Sequence, residues 1–291
     1  KLEPPANPGR FSSDAWTTLK NVLAEAVFHR KSEGFLDDAK DFMLDRLDDT
    51  IEPVARVFGG KTLWEEMKEN ADRAASLKEG AAHMAALHLI ELMKSGQIDE
   101  VHMIGHSAGS ILLAPLARLF KASKVKIASL SLWAPACTMG LFKQVYEPLL
   151  KSGAIGAFDL YTMDDATERD DDCVGIYHKS LLYLVSHAFE ESPRIPIKSP
   201  KGTPLLGLER DVLEHLPSTF WTANRRWIKA PGSKGSNALH HGDFNDDAET
   251  LISTLERITG KTKAILEVPE ALKVNRPGFA GGSNFQIGWS H

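Results

Sequence analysis

One short stretch of the sequence combines residue types that could carry out nucleophilic chemistry: Gly105-His106-Ser107-Ala108-Gly109. This is a Gly-x-Ser-x-Gly motif, in which a sharp turn exposes the hydroxyl of the central serine. An apolar run typical of a strand, Val101 to Ile104, precedes it, and an apolar run typical of a helix, Ile111 to Ala114, follows it. Because such a turn requires this order, we predict that Ser107 is a nucleophile. We also predict that the positions two residues before and after it, which are Gly105 and Gly109, require small residues.

The helix after this turn begins next to the predicted nucleophile. The N-terminus of a helix carries partial positive charge and unpaired backbone amides. We therefore expect the backbone amide of Ala108 to stabilise negative charge that develops on a substrate oxygen during attack by Ser107.

A serine nucleophile also needs a base, which is expected in a loop between the last strand and the last helix. His240 and His241 occupy such a loop, ahead of a strongly amphipathic terminal helix. We favour His241 as the base because Gly242 lets the backbone turn beside it. His240 is the alternative base, and a purely structural role for the pair in capping the loop is the remaining interpretation.

The acid that orients the base should follow a strand that lies between the serine and the histidine along the chain. The predicted strand Ile155–Met163 is followed by Asp164-Asp165, and the predicted strand Thr203–Leu208 is followed by Glu209-Arg210-Asp211. We favour Asp165, which follows the second strand after the nucleophile, and Asp211 is the alternative acid.

Three further residues are candidates for substrate binding. His106 directly precedes the nucleophile, and Leu141 and Phe142 lie on an amphipathic helix near the expected rim of the site. This helix fits a lid over an acyl pocket and fits core packing equally well.

The elements that would position these residues alternate between strand and helix, which indicates a mostly parallel sheet covered by helices. Strands are predicted at Val101–Ile104, Val125–Trp133, Ile155–Met163, Thr203–Leu208 and Arg226–Ala230, and helices at 138–151, 176–189 and 246–258. The part before the first strand is predicted to hold four helices. The first begins at Ser12, the second covers 36–57 and is ended by Gly59-Gly60, the third begins at Thr62, which forms a capping box with Glu65, and the fourth covers 79–94.

In sheets with a serine turn of this kind, several strands normally precede the strand that leads to the serine. One of these earlier strands carries a loop that supplies the second donor to the oxyanion, and this sequence predicts none of them. We therefore expect residues 12–273 to form the C-terminal portion of a longer chain; a small sheet with a helical N-terminal cap is the alternative. Residues 1–11 are expected to be an extended lead-in. Residues 274–291 are expected to be a tail, because Gly288-Trp289-Ser290-His291 resembles the start of an affinity tag.

Composition restricts the classes of partner. The net charge of −5 argues against nucleic acid, and no apolar run is long enough to span a bilayer. Two cysteines, Cys137 and Cys173, with no recognisable signal peptide favour a cytoplasmic protein without a disulfide framework. The acidic run 164–172 lacks the spacing of a metal-binding loop, so we predict no metal and no cofactor.

The motif Gly105-His106-Ser107-Ala108-Gly109 resembles the nucleophile turn of the α/β-hydrolase superfamily, especially its serine esterases, lipases and thioesterases. The resemblance covers about residues 100–260, and the segments 132–137 and 179–186 are similar to uncharacterised bacterial members. It implies an α/β-hydrolase fold in which Ser107, Asp165 and His241 form a catalytic triad and the Ala108 amide lies in the oxyanion hole.

The expected function is that of a serine hydrolase that cleaves a carboxylic ester or thioester of a small or acyl substrate through an acyl-enzyme. Acyl transfer with the same triad is an alternative, although acyltransferases with this motif usually continue Gly-Glu and this chain has Gly109-Ser110. A hydrolase-like module that only binds is the third interpretation. An upstream segment or a second copy of the chain is expected to complete the sheet.

Overall fold

The computed structural model describes residues 48–171, 173, 177–195, 199–232 and 234–260. The predicted lead-in, the helix from Ser12, most of the helix over 36–57 and the tail lie outside the described residues. The described part forms an α/β domain whose centre is one parallel sheet of four strands. The strands are β1 (His102–His106), β2 (Ile127–Trp133), β3 (Ile155–Met163) and β4 (Arg225–Ala230), and they lie side by side in chain order.

The helices connect and cover these strands, and they confirm the predicted alternation. In chain order they are α1 (Lys61–Ser76), α2 (Ala81–Lys94), α3 (Gly109–Ala122), α4 (Met139–Leu141, continued by the π-helical turn Phe142–Tyr146 and by Glu147–Lys151), α5 (Asp165–Asp170), α6 (Leu181–Leu184, continued by the π-helical turn Val185–Phe189), α7 (Glu209–His215) and α8 (Ala248–Thr259). The part of the described chain before β1 is helical, as expected.

The two faces of the sheet are covered by different helices. Leu132 and Leu160 are paired in register and belong to the apolar cluster that includes α3. Because side chains alternate between the faces of a strand, the neighbouring residues Trp133 and Tyr161 point to the other face. There they contact α8: the Trp133 indole donates to Thr254 and the Tyr161 hydroxyl to Ser253. Cover on both faces explains why β2 and β3 are almost continuously apolar.

A buried ion cluster fixes α8 and β4 on β3. The carboxylate of Asp159 is fully buried and accepts hydrogen bonds from Arg226, on β4, and from Arg257, on α8. Both guanidiniums are needed to compensate a charge taken out of water. The loop between β4 and α8 therefore starts and ends on elements that are anchored to the same strand.

Two predictions about secondary structure were wrong. Residues 203–208 do not form a strand of the sheet; only Leu205 makes an isolated bridge, with Thr138, and the segment is a loop with buried leucines. An apolar run that packs into the core needs no strand partner. The sequence pattern alone does not distinguish these two cases.

The other error concerns Gly59-Gly60, which do not end a helix. Helical residues 48–55 continue through the π-helical turn Arg56–Gly60 into α1, so Thr62 caps nothing. A Cβ at Gly60 would lie 2.2 Å from Phe189 Cε1, which indicates that this glycine allows close packing on α6.

Candidate active site

Ser107 lies in a sharp turn between β1 and α3, with a backbone φ of 52° that non-glycine residues rarely adopt. The surrounding backbone fixes this conformation. The Ser107 amide donates to the carbonyl oxygen of Trp133, and the Ser107 carbonyl oxygen accepts hydrogen bonds from the amides of Ala136 and Ser110 and from the Ser110 hydroxyl. Strain of this kind persists only where neighbouring contacts enforce it, and it is concentrated at functional sites.

The two glycines of the motif have different surroundings. A Cβ on Gly105 would lie 2.8 Å from Leu113 Cδ1 and 3.1 Å from the carbonyl carbon of Gly109, whereas a Cβ on Gly109 would meet nothing within 4 Å. The expectation that both positions must be small therefore holds on steric grounds for Gly105 alone.

The helix N-terminus beside Ser107 offers backbone donors. Within the described part of the chain, the amides of Ala108 and Gly109 donate no hydrogen bond, because the first helical bonds of α3 begin with the amides of Ser110 and Ile111. The amide of Ala108 lies one residue after the serine, where it was expected as an oxyanion donor.

His241 lies opposite the serine, in the loop between β4 and α8. Its Nε2 is 2.9 Å from the Oγ of Ser107, although 134 residues separate the two along the chain. The loop is held from the nucleophile side by His106, whose Nε2 donates a 2.9 Å hydrogen bond to the carbonyl oxygen of His241. Phe244, fully buried in the same loop, packs beside the His106 ring.

For the Ser107 hydroxyl to donate to His241 Nε2, the ring proton of His241 must be on Nδ1. This Nδ1 is buried and has no hydrogen-bond partner among the described residues. Burial, with a smaller contribution from the nearby His106, lowers the pKa of His241 to about 3. The ring is thus neutral and can accept a proton, but its second nitrogen lacks the acceptor that a catalytic histidine uses.

A carboxylate nevertheless reaches the backbone of His241. The Oδ2 of Asp171 accepts a hydrogen bond of 3.1 Å from the His241 amide, and its Oδ1 lies 2.8 Å from Nδ1 of His240. The Asp171 side chain is buried, whereas that of His240 is about half exposed. Sequence reasoning did not single out Asp171. Its signal was the acidic run 164–172 after β3, which apart from Asp164-Asp165 was considered only as a metal-binding loop.

The structure places the two predicted acids elsewhere. The carboxylate of Asp165 accepts hydrogen bonds from the Tyr183 hydroxyl and from Arg169. The carboxylate of Asp211 is buried and accepts from the Leu205 amide, and burial raises its pKa. Neither carboxylate has a hydrogen bond to His241 in the part of the chain that the structure describes.

Glu168 is a further carboxyl group in the acidic run after β3, and it was not a candidate for the acid of the triad. It is fully buried, and neither of its oxygens has a hydrogen-bond partner among the described residues. Burial raises its pKa to about 8. The nearby Ser180 hydroxyl, which is not placed to form a hydrogen bond, lowers this pKa, and the negative charges of Asp171 and Asp165 raise it. Glu168 is therefore protonated at neutral pH.

The candidate substrate-binding residues have different locations. The His106 ring bonds to the His241 loop, and Phe142 is fully buried among Phe158 and Phe220. Leu141 lines a cavity of about 630 Å³ together with Ile111, which lies about one helical turn beyond Ser107. Of the three, Leu141 alone is placed to contact a ligand in that cavity.

Other chemistry finds less support in the described residues. No group of three or more His, Cys, Asp or Glu side chains is arranged there to hold a metal ion. Cys137 is buried beside Ser110, and burial raises the pKa of its thiol to about 12. No helix of the described ranges is both long enough and apolar enough to cross a membrane.

Comparisons with protein-family models, with curated proteins and with solved structures give no match for this chain. The geometry of Ser107 and His241 at the carboxyl edge of a parallel sheet must therefore support any functional assignment by itself.

Proposed function

We propose that this protein is a serine hydrolase of α/β-hydrolase type that cleaves a carboxylic ester or thioester. One observation carries the proposal: Ser107, held at positive φ between a strand and a helix, has its Oγ 2.9 Å from Nε2 of a buried histidine. A base at this distance can take the hydroxyl proton as the oxygen attacks.

The reaction would proceed in two halves. His241 Nε2 takes the Ser107 proton while Oγ bonds to the carbonyl carbon, and the imidazolium then gives this proton to the departing alcohol or thiol. The resulting acyl-enzyme is attacked by water, which loses a proton to His241. The Ser107–acyl bond breaks, Oγ regains the proton, and the carboxylic acid leaves.

The backbone supports the charged intermediates of both halves. The unpaired amide of Ala108 can donate to the oxyanion, and one such donor contributes on the order of 3 kcal/mol. The cavity lined by Leu141 and by Ile111, which follows Ser107 by four residues, offers an acyl chain an apolar surface.

Labelling with a fluorophosphonate, followed by peptide mass spectrometry, tests this proposal. We expect one phosphonylated site, at Ser107, which is lost in Ser107→Ala and kept in the control Ser218→Ala, an exposed serine in a distant turn. A folded protein that is not labelled at Ser107, and that hydrolyses no p-nitrophenyl or thioester acyl substrate, would contradict the proposal and favour a binding module.

A further inference from the structure

The loop after β3 and the loop after β4 are joined by a single carboxylate. Oδ2 of Asp171 accepts a hydrogen bond from the backbone amide of His241, and Oδ1 contacts Nδ1 of the His240 ring. These contacts bring the carboxylate to the residue whose ring faces the nucleophile. The backbone nitrogen and Nδ1 of one histidine are separated by only four covalent bonds, so the ring nitrogen that lacks a partner belongs to the same residue whose amide Asp171 already binds.

The ring of His241 requires such a partner. Its Nδ1 must carry the proton when Nε2 accepts from Ser107, and a buried N–H without a partner is destabilising. We propose that Asp171 is the acid of the catalytic triad, and that a side-chain rotation lets its Oδ2 accept a hydrogen bond from the Nδ1–H of His241. This inference rests on the proposed hydrolase function and names the positioning residue for its base.

The other carboxyl groups are excluded from this role by their protonation state or by the partners that they already have. A positioning acid must be ionised to stabilise the imidazolium that forms during attack, and Glu168, with its pKa raised to about 8, is neutral at pH 7. Asp165 is bonded to Tyr183 and Arg169, and Asp211 to the amide of Leu205. A hydrogen bond to the carboxylate of Asp171 would also raise the pKa of His241 towards the range in which a base is effective.

The contact between Asp171 and His240 gives His240 a supporting role. Oδ1 lies 2.8 Å from the half-exposed His240 ring, which holds the carboxylate in place while Oδ2 faces His241. His240 is thus a support of the acid, and His241 remains the base.

The experiment measures the rate of fluorophosphonate labelling against pH for wild type, Asp171→Asn, Asp171→Glu and the matched controls Asp165→Asn, Asp211→Asn and Glu168→Gln. In Asp171→Asn we expect labelling at pH 7 to slow by at least a hundredfold, since removal of a triad acid costs up to about 10⁴-fold. Asp171→Glu should recover part of this loss, and each control should stay within about tenfold of wild type.

The pH profile separates positioning from mere support of the fold. Loss of the anion lowers the pKa of His241, so the acid limb of the Asp171→Asn profile should move to lower pH; a structural defect would reduce the rate without moving the limb. If Asp171→Asn does not fold, proton NMR of the wild type replaces this readout. We then expect a far-downfield resonance from the Nδ1 proton of His241, and we expect Asp171→Glu to shift it.

The outcomes distinguish the two proposals. Absence of Ser107-dependent labelling in wild type overturns the hydrolase function itself. Wild-type labelling with an unchanged rate and profile in Asp171→Asn, or loss of activity in Glu168→Gln or Asp165→Asn instead, overturns the assignment of Asp171 and leaves the hydrolase function standing. With the resonance readout, its absence in wild type overturns the assignment of Asp171.

Discussion

The side chain of His106 donates a hydrogen bond of 2.9 Å from Nε2 to the carbonyl oxygen of His241. His106, which directly precedes Ser107, thus holds the loop that carries His241, and the two rings lie 5.2 Å apart. Burial lowers the pKa of His106, which keeps this ring neutral, with its proton on the nitrogen that donates.

This contact predicts the behaviour of two variants at position 106. In His106→Gln, the side-chain amide can place a donor near the position of Nε2, so the labelling rate of Ser107 should stay within a few-fold of wild type. In His106→Ala the donor is lost and the His241 loop is released, and we expect about a tenfold slower rate, which corresponds to about 1.4 kcal/mol. Equal rates in the two variants would show that the hydrogen bond does not position the base.

The glycines on either side of Ser107 predict an asymmetric pair of variants. Gly105→Ala should destabilise the protein by about 1–3 kcal/mol and slow labelling, because its Cβ would meet Leu113 and the backbone of Gly109. Gly109→Ala should be tolerated, since the space around it is open and alanine favours the helix that starts there. Urea unfolding and labelling of both variants test this, and similar losses in both would contradict the steric explanation.

Glu168 predicts a dependence of stability on pH. Its pKa is raised to about 8 in the folded protein by burial, so the folded state holds a proton that the unfolded state has released above about pH 4.5. This contribution to stability should therefore be lost as pH rises from about 4.5 to 8, and the dependence should level off above the folded-state pKa. Glu168→Gln, which cannot ionise, should be more stable than wild type at pH 9, on the order of 4 kcal/mol, and nearly equal to it at pH 5.

The measurement for Glu168 is urea unfolding at the two pH values, with the exposed Glu69→Gln as control. A wild type and a Glu168→Gln variant whose stabilities change in parallel between pH 5 and pH 9 would mean that this carboxyl group does not titrate as its burial implies.

Cys137 predicts a protected thiol. Burial raises its pKa to about 12, so hardly any reactive thiolate exists at pH 8. In a Cys173→Ser background, the native protein should react with a disulfide reagent far more slowly than the same protein in urea. Fast reaction of the native protein, at a rate close to that of a model thiol, would contradict the burial of Cys137 beside Ser110.

Local sequence signals determined much of this protein. The strand, turn and helix around Ser107 were predictable because a glycine-flanked serine between two apolar runs is a pattern of adjacent residues. Strand β3 has the predicted bounds, and Gly260 ends α8 at positive φ, as a C-cap glycine does. The candidate base followed from chain order together with one glycine, at residues 241 and 242.

Only the tertiary structure decided which carboxylate comes near that base. Asp165, Glu168 and Asp171 lie within seven residues of one another, and no local pattern tells which of them will contact a loop that is 70 residues away in the sequence. The same holds for Gly59-Gly60, which lie inside a continuous helix, with Gly60 packed closely against the ring of Phe189. Propensity and periodicity act along the chain, whereas hydrogen bonds and close contacts between loops depend on distances that exist only after the sheet has assembled.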